Sequence, residues 1–109
     1  MAARAQQAAM PVVGFLHIES REVNASRVRA FQQGLRVTGY VEGRNIAVEY
    51  RWGDGQFDRL PSLATDLVRR PVNAIVAGGQ TTVLAAKAAT GTIPIIFQTK
   101  ADPVETELR

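Results

Sequence analysis

The stretch Asn73-Ala74-Ile75-Val76-Ala77-Gly78-Gly79-Gln80-Thr81-Thr82 changes character twice within a few residues. Its apolar run reads as a short strand buried on both faces, its glycines as a turn, and its end as the start of a helix. A strand that runs straight into a helix reaches the next strand by a crossover, not a hairpin, so the neighbouring strands lie parallel. Such a turn also gathers free backbone N–H groups at a helix N-terminus, which makes it the best candidate in the chain for a ligand site.

The rest of the sequence repeats this unit. Val12-Val13-Gly14-Phe15-Leu16-His17-Ile18 is a continuous apolar run that suits a central parallel strand, with His17 to Ser20 as its exit. A helix is predicted from Asn24 as N-cap, with Val28, Phe31 and Leu35 as its apolar stripe and Gly39 as a left-handed C-terminal cap. Ile46 to Trp52 alternates apolar and polar residues, which predicts a strand with one face partly wet, nearer the sheet edge. Asp58 is placed to cap a second helix with Pro61 in its first turn. The buried stripe of that helix is Leu60, Leu63, Ala64, Leu67 and Val68, and Pro71 stops it. The third strand is Ala74 to Ala77. Gln80 or Thr81 caps an alanine-rich third helix that runs to about Thr90 and is ended by Gly91. Ile93 to Gln98 forms the fourth strand, and a last helical turn follows its exit loop.

The order β-α-β-α-β-α-β predicts an α/β fold: a doubly wound, flavodoxin-like parallel sheet with helices on both faces and strand order 2-1-3-4. Ligands of such sheets sit at the C-terminal strand ends beside the topological switch, here between the first and third strands. One crevice then collects His17, Glu19, Ser20, Gly79, Gln80, Thr81, Thr82, Gln98, Thr99 and Asp102.

Composition narrows the chemistry. The 109 residues are 46% hydrophobic, enough for one domain with a real core. Lys and Arg number 13 against 10 Asp and Glu, but the arginines are scattered, which suits a solvated surface and not nucleic acid. Cysteine is absent, so disulfides and thiolate chemistry are excluded, and either cytoplasm or periplasm is compatible. No apolar run is long enough to span a membrane. Ala3-Arg4-Ala5 has the form of a signal-peptidase site, although no apolar segment precedes it, and residues 1–10 read as disordered.

The individual residues argue for binding over catalysis. His17 is the only histidine. With Glu19 alone beside it, it makes no metal cage, and no serine sits at a nucleophile elbow to complete a triad. Gly78-Gly79 is neither G-x-G-x-x-G nor a P-loop, so no nucleotide phosphate site is expected. Thr81 and Thr82 can donate hydroxyl hydrogen bonds to a carboxylate or cap their helix. Lys100 follows the fourth strand as in a response-regulator receiver domain, but no aspartate ends the third strand to be phosphorylated. Asp102-Pro103 reads as a capping turn and Trp52 as packing. No cofactor is expected.

Several segments are similar to one family in order and spacing. They are Val13-Gly14-Phe15-Leu16, Phe31-Gln32-Gln33-Gly34-Leu35, Gly39-Tyr40-Val41-Glu42-Gly43-Arg44-Asn45, Glu49-Tyr50-Arg51-Trp52, Asp58-Arg59-Leu60-Pro61, Ala85-Ala86-Lys87-Ala88-Ala89-Thr90, Thr92-Ile93-Pro94-Ile95-Ile96-Phe97 and Asp102-Pro103-Val104. Through them the chain resembles the N-terminal lobe of ABC-transporter substrate-binding proteins of the type I periplasmic-binding fold, in the branch of tryptophan- and phenylalanine-type binders. The resemblance implies a two-lobed protein that closes on a small molecule such as an amino acid and delivers it to a membrane permease, without catalysis and in the periplasm. It implies that residues 11–109 form the N-terminal lobe, without the second lobe, and that residues 1–10 are a disordered remnant of a secretion signal and the mature N-terminus. It also implies that His17 to Ser20, Gly79 to Thr81 and Gln98 to Asp102 contribute to the cleft. The unfinished sheet predicts a homodimer across the fourth-strand side. The alternatives are a flavodoxin-like nucleotide- or cofactor-binding half-domain, which a copurifying cofactor would reveal, and a dimerising assembly module.

Overall fold

A computed structural model describes residues 10–70 and 72–98. In chain order the elements are β1 (Val12–His17), α1 (Ala25–Val37), β2 (Ala47–Trp52), α2 (Leu60–Arg69), β3 (Ala74–Gly78), α3 (Gln80–Ala89) and β4 (Ile95–Gln98), with a single 3₁₀ turn, Phe57–Arg59, leading into α2. The sheet has four strands in the order β2-β1-β3-β4, and every pairing is parallel. The α/β class, the strand order and the two-sided packing predicted from sequence are therefore present.

Each face of the sheet carries its own core because side chains alternate along a strand. Leu16 and Ile75 face α2 and α3, where they pack with Leu60, Ala64, Leu67 and Ala86. Phe15 and Val76 face α1, where they pack with Val28 and Phe31. Phe15 is the hub of the second cluster, with the rings of Phe31, Tyr50 and Trp52 at 5.2, 5.6 and 5.6 Å. Each such aromatic pair adds about 0.5–1.5 kcal/mol beyond its burial. Trp52 thus packs, as expected, stacked on Tyr50 at 6.0 Å. Every residue of β2 is only half-buried, which matches its edge position and its alternating sequence. Gly14 has a packing reason: a methyl group there would stand 3.0 Å from two Leu67 carbons, so α2 lies close on β1 only because the position is bare.

The helix ends explain most differences from the sequence reading. Gly39, at φ +95°, closes α1 as predicted, with its N–H on the Arg36 carbonyl and the Tyr40 N–H on the Leu35 carbonyl. Asn24 occupies the N-cap position of α1, but its side chain does not cap. It turns inward instead. Asp58 does not cap α2 either: the 3₁₀ turn intervenes and Arg59 takes the N-cap position, with Pro61 in the first turn as expected. Gly79, and not Gln80 or Thr81, is the N-cap of α3, and Gly78 is still strand. Gly91 is not what ends α3. Thr90 becomes extended at φ −149°, and its hydroxyl accepts the N–H groups of Thr92 and Ile93 at 3.2 Å. β4 begins at Ile95, two residues later than predicted. The expectations for residues 1–9, Pro71, Thr99, Lys100, Asp102 and the last helical turn lie outside the described residues.

Candidate functional site

The four strands end on one row. Trp52, His17, Gly78 and Gln98 are register partners across the sheet in that order. His17 lies two residues beyond Phe15 in β1, so its side chain is on the α1 face, as is that of Trp52. Gln98 is on the same face, because its Nε2 donates to the Arg27 carbonyl of α1 at 3.4 Å. Gly78, between them, has no side chain, and the imidazole lies over it. A methyl group at Gly78 would collide with His17 Cδ2 and stand 2.7 Å from Nε2. The glycine read from sequence as part of the strand-to-helix turn is therefore a strand residue kept bare for a neighbouring ring, and of Gly78 and Gly79 only Gly79 needs the left-handed region, at φ +93°.

His17 is 5% exposed, and its proton is assigned by its partners. Nδ1 accepts the Glu19 N–H at 3.0 Å and lies 3.2 Å from Asn24 Nδ2. A nitrogen that receives donors carries no proton, so the ring is neutral and protonated at Nε2. Burial, and secondarily the positive charge of Arg27, pushes its pKa from 6.5 down to about 4.

Asn24 holds this arrangement together. It is fully buried, and its amide is used on both sides. Nδ2 donates to the Ser20 carbonyl at 3.0 Å and faces His17 Nδ1, while Oδ1 accepts Arg27 Nη1 at 2.6 Å. Ser20 is taken up by the turn into α1, where its hydroxyl accepts the Val23 N–H at 3.2 Å. The Glu19 side chain is exposed, and only its backbone joins the network.

The other wall is the start of α3. Gly79 caps it with no side-chain hydrogen bond, and its first turn contains no acidic residue. The leading N–H groups are therefore left for solvent or a ligand. Gln80 and Thr81 are exposed on this turn, whereas Thr82 is fully buried. Thr82 Oγ1 and Gln98 Oε1 are the buried side-chain polar atoms without a hydrogen-bond partner among the described residues. Orphaned atoms of this kind are uncommon in native proteins, and both stand at this end of the sheet.

At this end of the sheet His17 and Gln98 flank Gly78 on the α1 face, Gly79 with the exposed Gln80 and Thr81 opens α3, and Thr82, one turn before Ala86 on the buried stripe of α3, belongs to the opposite face. Sequence reasoning missed Asn24, read as an ordinary cap, and Arg27, read as helix surface. A signal existed. A capping box would put Glu or Gln at residue 27, the third helical position, and an arginine there opposes the helix dipole. Concavities of about 470, 420 and 490 Å³ among the described residues lie elsewhere and contain none of these residues. Two run along α1 (from Arg21 and Arg29 to Arg36 and Glu42), and the third lies around Lys87 to Ile95. Among the described residues no cluster of His, Asp and Glu could hold a metal ion, and no helix is long and apolar enough to cross a membrane.

Comparison with known proteins bears on what this site serves. No curated protein matches the chain. Solved structures do. A conserved domain protein from Vibrio cholerae superposes with a TM-score of 0.76 at 26% identity, over 82% of this chain and 30% of its own. The ligand-free, open structure of a substrate binding protein with adhesive properties from Clostridium difficile gives 0.74 at 20% identity, over 82% and 30%. An ABC domain in complex with L-Trp from Streptococcus pneumoniae gives 0.75 at 17% identity, over 84% and 31%. The chain therefore spans about 30% of the length of the structures it matches, the size of one lobe. The family described as ABC transporter substrate binding protein matches residues 12–109, nearly the whole sequence. These proteins are extracytoplasmic and bind their ligand without transforming it. The chain belongs to the ABC transporter substrate-binding protein family.

Proposed function

We propose that this chain supplies the N-terminal lobe of the ligand cleft of an ABC importer's binding protein, and that a small molecule such as an amino acid binds at the C-terminal strand ends. The observation that carries this reading is the family match over residues 12–109. The L-Trp in the Streptococcus pneumoniae structure supports an amino acid as the ligand class. The contacts would come from His17, Glu19, Ser20, Gly79, Gln80, Thr81, Thr82, Gln98, Thr99 and Asp102.

The chemistry of the row suits binding. The free N–H groups at the start of α3 and the Thr82 hydroxyl are donors. Gln98 Oε1 is an acceptor, and a neutral His17 offers Nε2–H without charge. A second lobe closing over this surface would exclude water and strengthen each of these bonds. The partners in this reading are a membrane permease and, across the open edge of β4, a second copy of this chain. The compartment is the periplasm.

A thermal-shift screen against amino acids, small carboxylates, sugars and nucleotides tests the proposal. A ligand at a hundred times its Kd stabilises the fold by about 2.7 kcal/mol. The expected result is a saturable rise in Tm with amino acids. A rise with nucleotides alone would overturn the reading.

A further inference from the structure

Arg27 is out of place unless something anionic meets it. It is the third residue of α1, in the positive first turn of a helix that has no acid there to balance it. The ion pairs among the described residues engage Arg51, Arg59 and Arg70, and none involves Arg27. Yet its side chain is not loose on the surface. Asn24, fully buried and used on both sides of its amide, grips Nη1 at 2.6 Å. The grip leaves the Nε and Nη2 edge without an acceptor among the described residues, and that edge is the planar fork that fits a carboxylate. A buried amide spent on orienting a cation with no anionic partner among the described residues is hard to explain as stability, because Asn24 as a simple cap would stabilise the helix without collecting positive charge beside a buried imidazole.

Independent observations point the same way. The start of α3, at the same end of the sheet, is also without a side-chain cap and without an acid in its first turn. Gln98 Oε1, on a residue 3% exposed whose amide hangs from the Arg27 carbonyl, lacks a partner among the described residues. The charged groups around the row are Arg27 and Arg21 on the cationic side and the exposed Glu19 and Glu22 on the other. Neither glutamate pairs with Arg27.

We infer that the ligand of this site carries a carboxylate with an N–H donor beside it, and that Arg27, oriented by Asn24, receives the carboxylate while Gln98 Oε1 accepts the N–H. This assignment rests on the binding reading above and adds to it the residue that recognises charge. Arg27 determines specificity, and Asn24 is a positioning residue.

The test is an NMR titration of the isotope-labelled chain, following the Arg27 Nε–H and the amides of Gly79 to Thr82. The probes are L-tryptophan, L-tryptophanamide, tryptamine, acetate, acetamide and inorganic phosphate. The expected result is saturable shifts with L-tryptophan or acetate. The neutral or cationic analogues should bind at least about tenfold more weakly, the scale of one charge-assisted pair. Arg27→Gln should remove that preference, and Arg27→Lys should restore part of it. Arg29→Gln, the same charge change two residues on and outside the network, should leave it intact. Carboxylate binding should also raise the His17 pKa from its value of about 4, since an anion offsets the Arg27 charge. Equal binding of tryptophanamide and tryptophan, a preference that survives in Arg27→Gln, or binding of phosphate alone would overturn the assignment and leave the binding reading standing. No shift with any probe up to high millimolar concentration would overturn both.

Discussion

Replacing Gly78 by alanine tests the geometry of the site through stability alone. The added methyl would collide with the His17 ring, 2.7 Å from Nε2 and closer to Cδ2, and Gly78 sits in β3 between two paired strands, where the backbone has little freedom to retreat. The ring must therefore rotate away. Overpacking of this kind costs about 1–3 kcal/mol. Rotation also takes Nδ1 from the Glu19 N–H and the Asn24 amide, and a buried donor left unsatisfied costs a further ~1–3 kcal/mol. The expected total is about 3 kcal/mol, read as a lower urea midpoint with an unchanged slope. Gly78→Ala with His17→Ala should cost clearly less than the sum of the two single changes, because the methyl then enters space the ring has left. A coupling of about 2 kcal/mol is expected. Gly79→Ala is the contrast: its methyl meets nothing nearer than 3.6 Å, and its cost, about 1–2 kcal/mol, comes from φ +93° and is independent of His17. A Gly78→Ala chain within ~0.5 kcal/mol of the parent, or strict additivity with His17→Ala, would refute the packing argument.

The remaining expectations concern pH, core and assembly. The His17 pKa is lower in the folded chain than in the unfolded one, so between about pH 4 and 6.5 the unfolded state binds more protons. Its contribution is therefore complete above pH 6.5 and is lost as pH falls to about 4. The loss is about 3 kcal/mol, and it appears as the part of the pH dependence of the urea midpoint that His17→Ala abolishes. Phe15→Ala empties the centre of the aromatic cluster and should cost about 3–5 kcal/mol by the same assay. The outer edge of β4 carries no strand among the described residues and exposes part of Ile95, Ile96 and Phe97, so analytical ultracentrifugation at micromolar concentration should show a dimer. A monomer there would discard that contact.

Much of the molecule was legible in one dimension because its cause is local. The unbroken apolar run from Val12 to Ile18 and the mixed run from Ile46 to Trp52 separate a central strand from an edge strand by patterning, and the sheet order follows from right-handed crossovers. The left-handed cap at Gly39 is likewise written in a glycine placed just after an apolar stripe. Helix starts were less legible. Asn24, Asp58 and Thr81 all have side chains that can cap, yet none is seen to do so, since a polar side chain near a helix end has tertiary partners to choose from as well as its own backbone.

The sequence by itself determined the parallel α/β class and the strand order, because hydrophobic periodicity and chain chirality act over a few residues at a time. Tertiary structure alone decided what the C-terminal end of the sheet is made of. His17, Gly78 and Gln98 are far apart in sequence and meet because parallel register sets their strands to end together. That meeting converts a turn glycine into a slot for an imidazole, a capping asparagine into a buried clamp, and a surface arginine into an oriented cation. Hydrogen-bond partners and steric room are properties of the assembled sheet, and no local pattern encodes them.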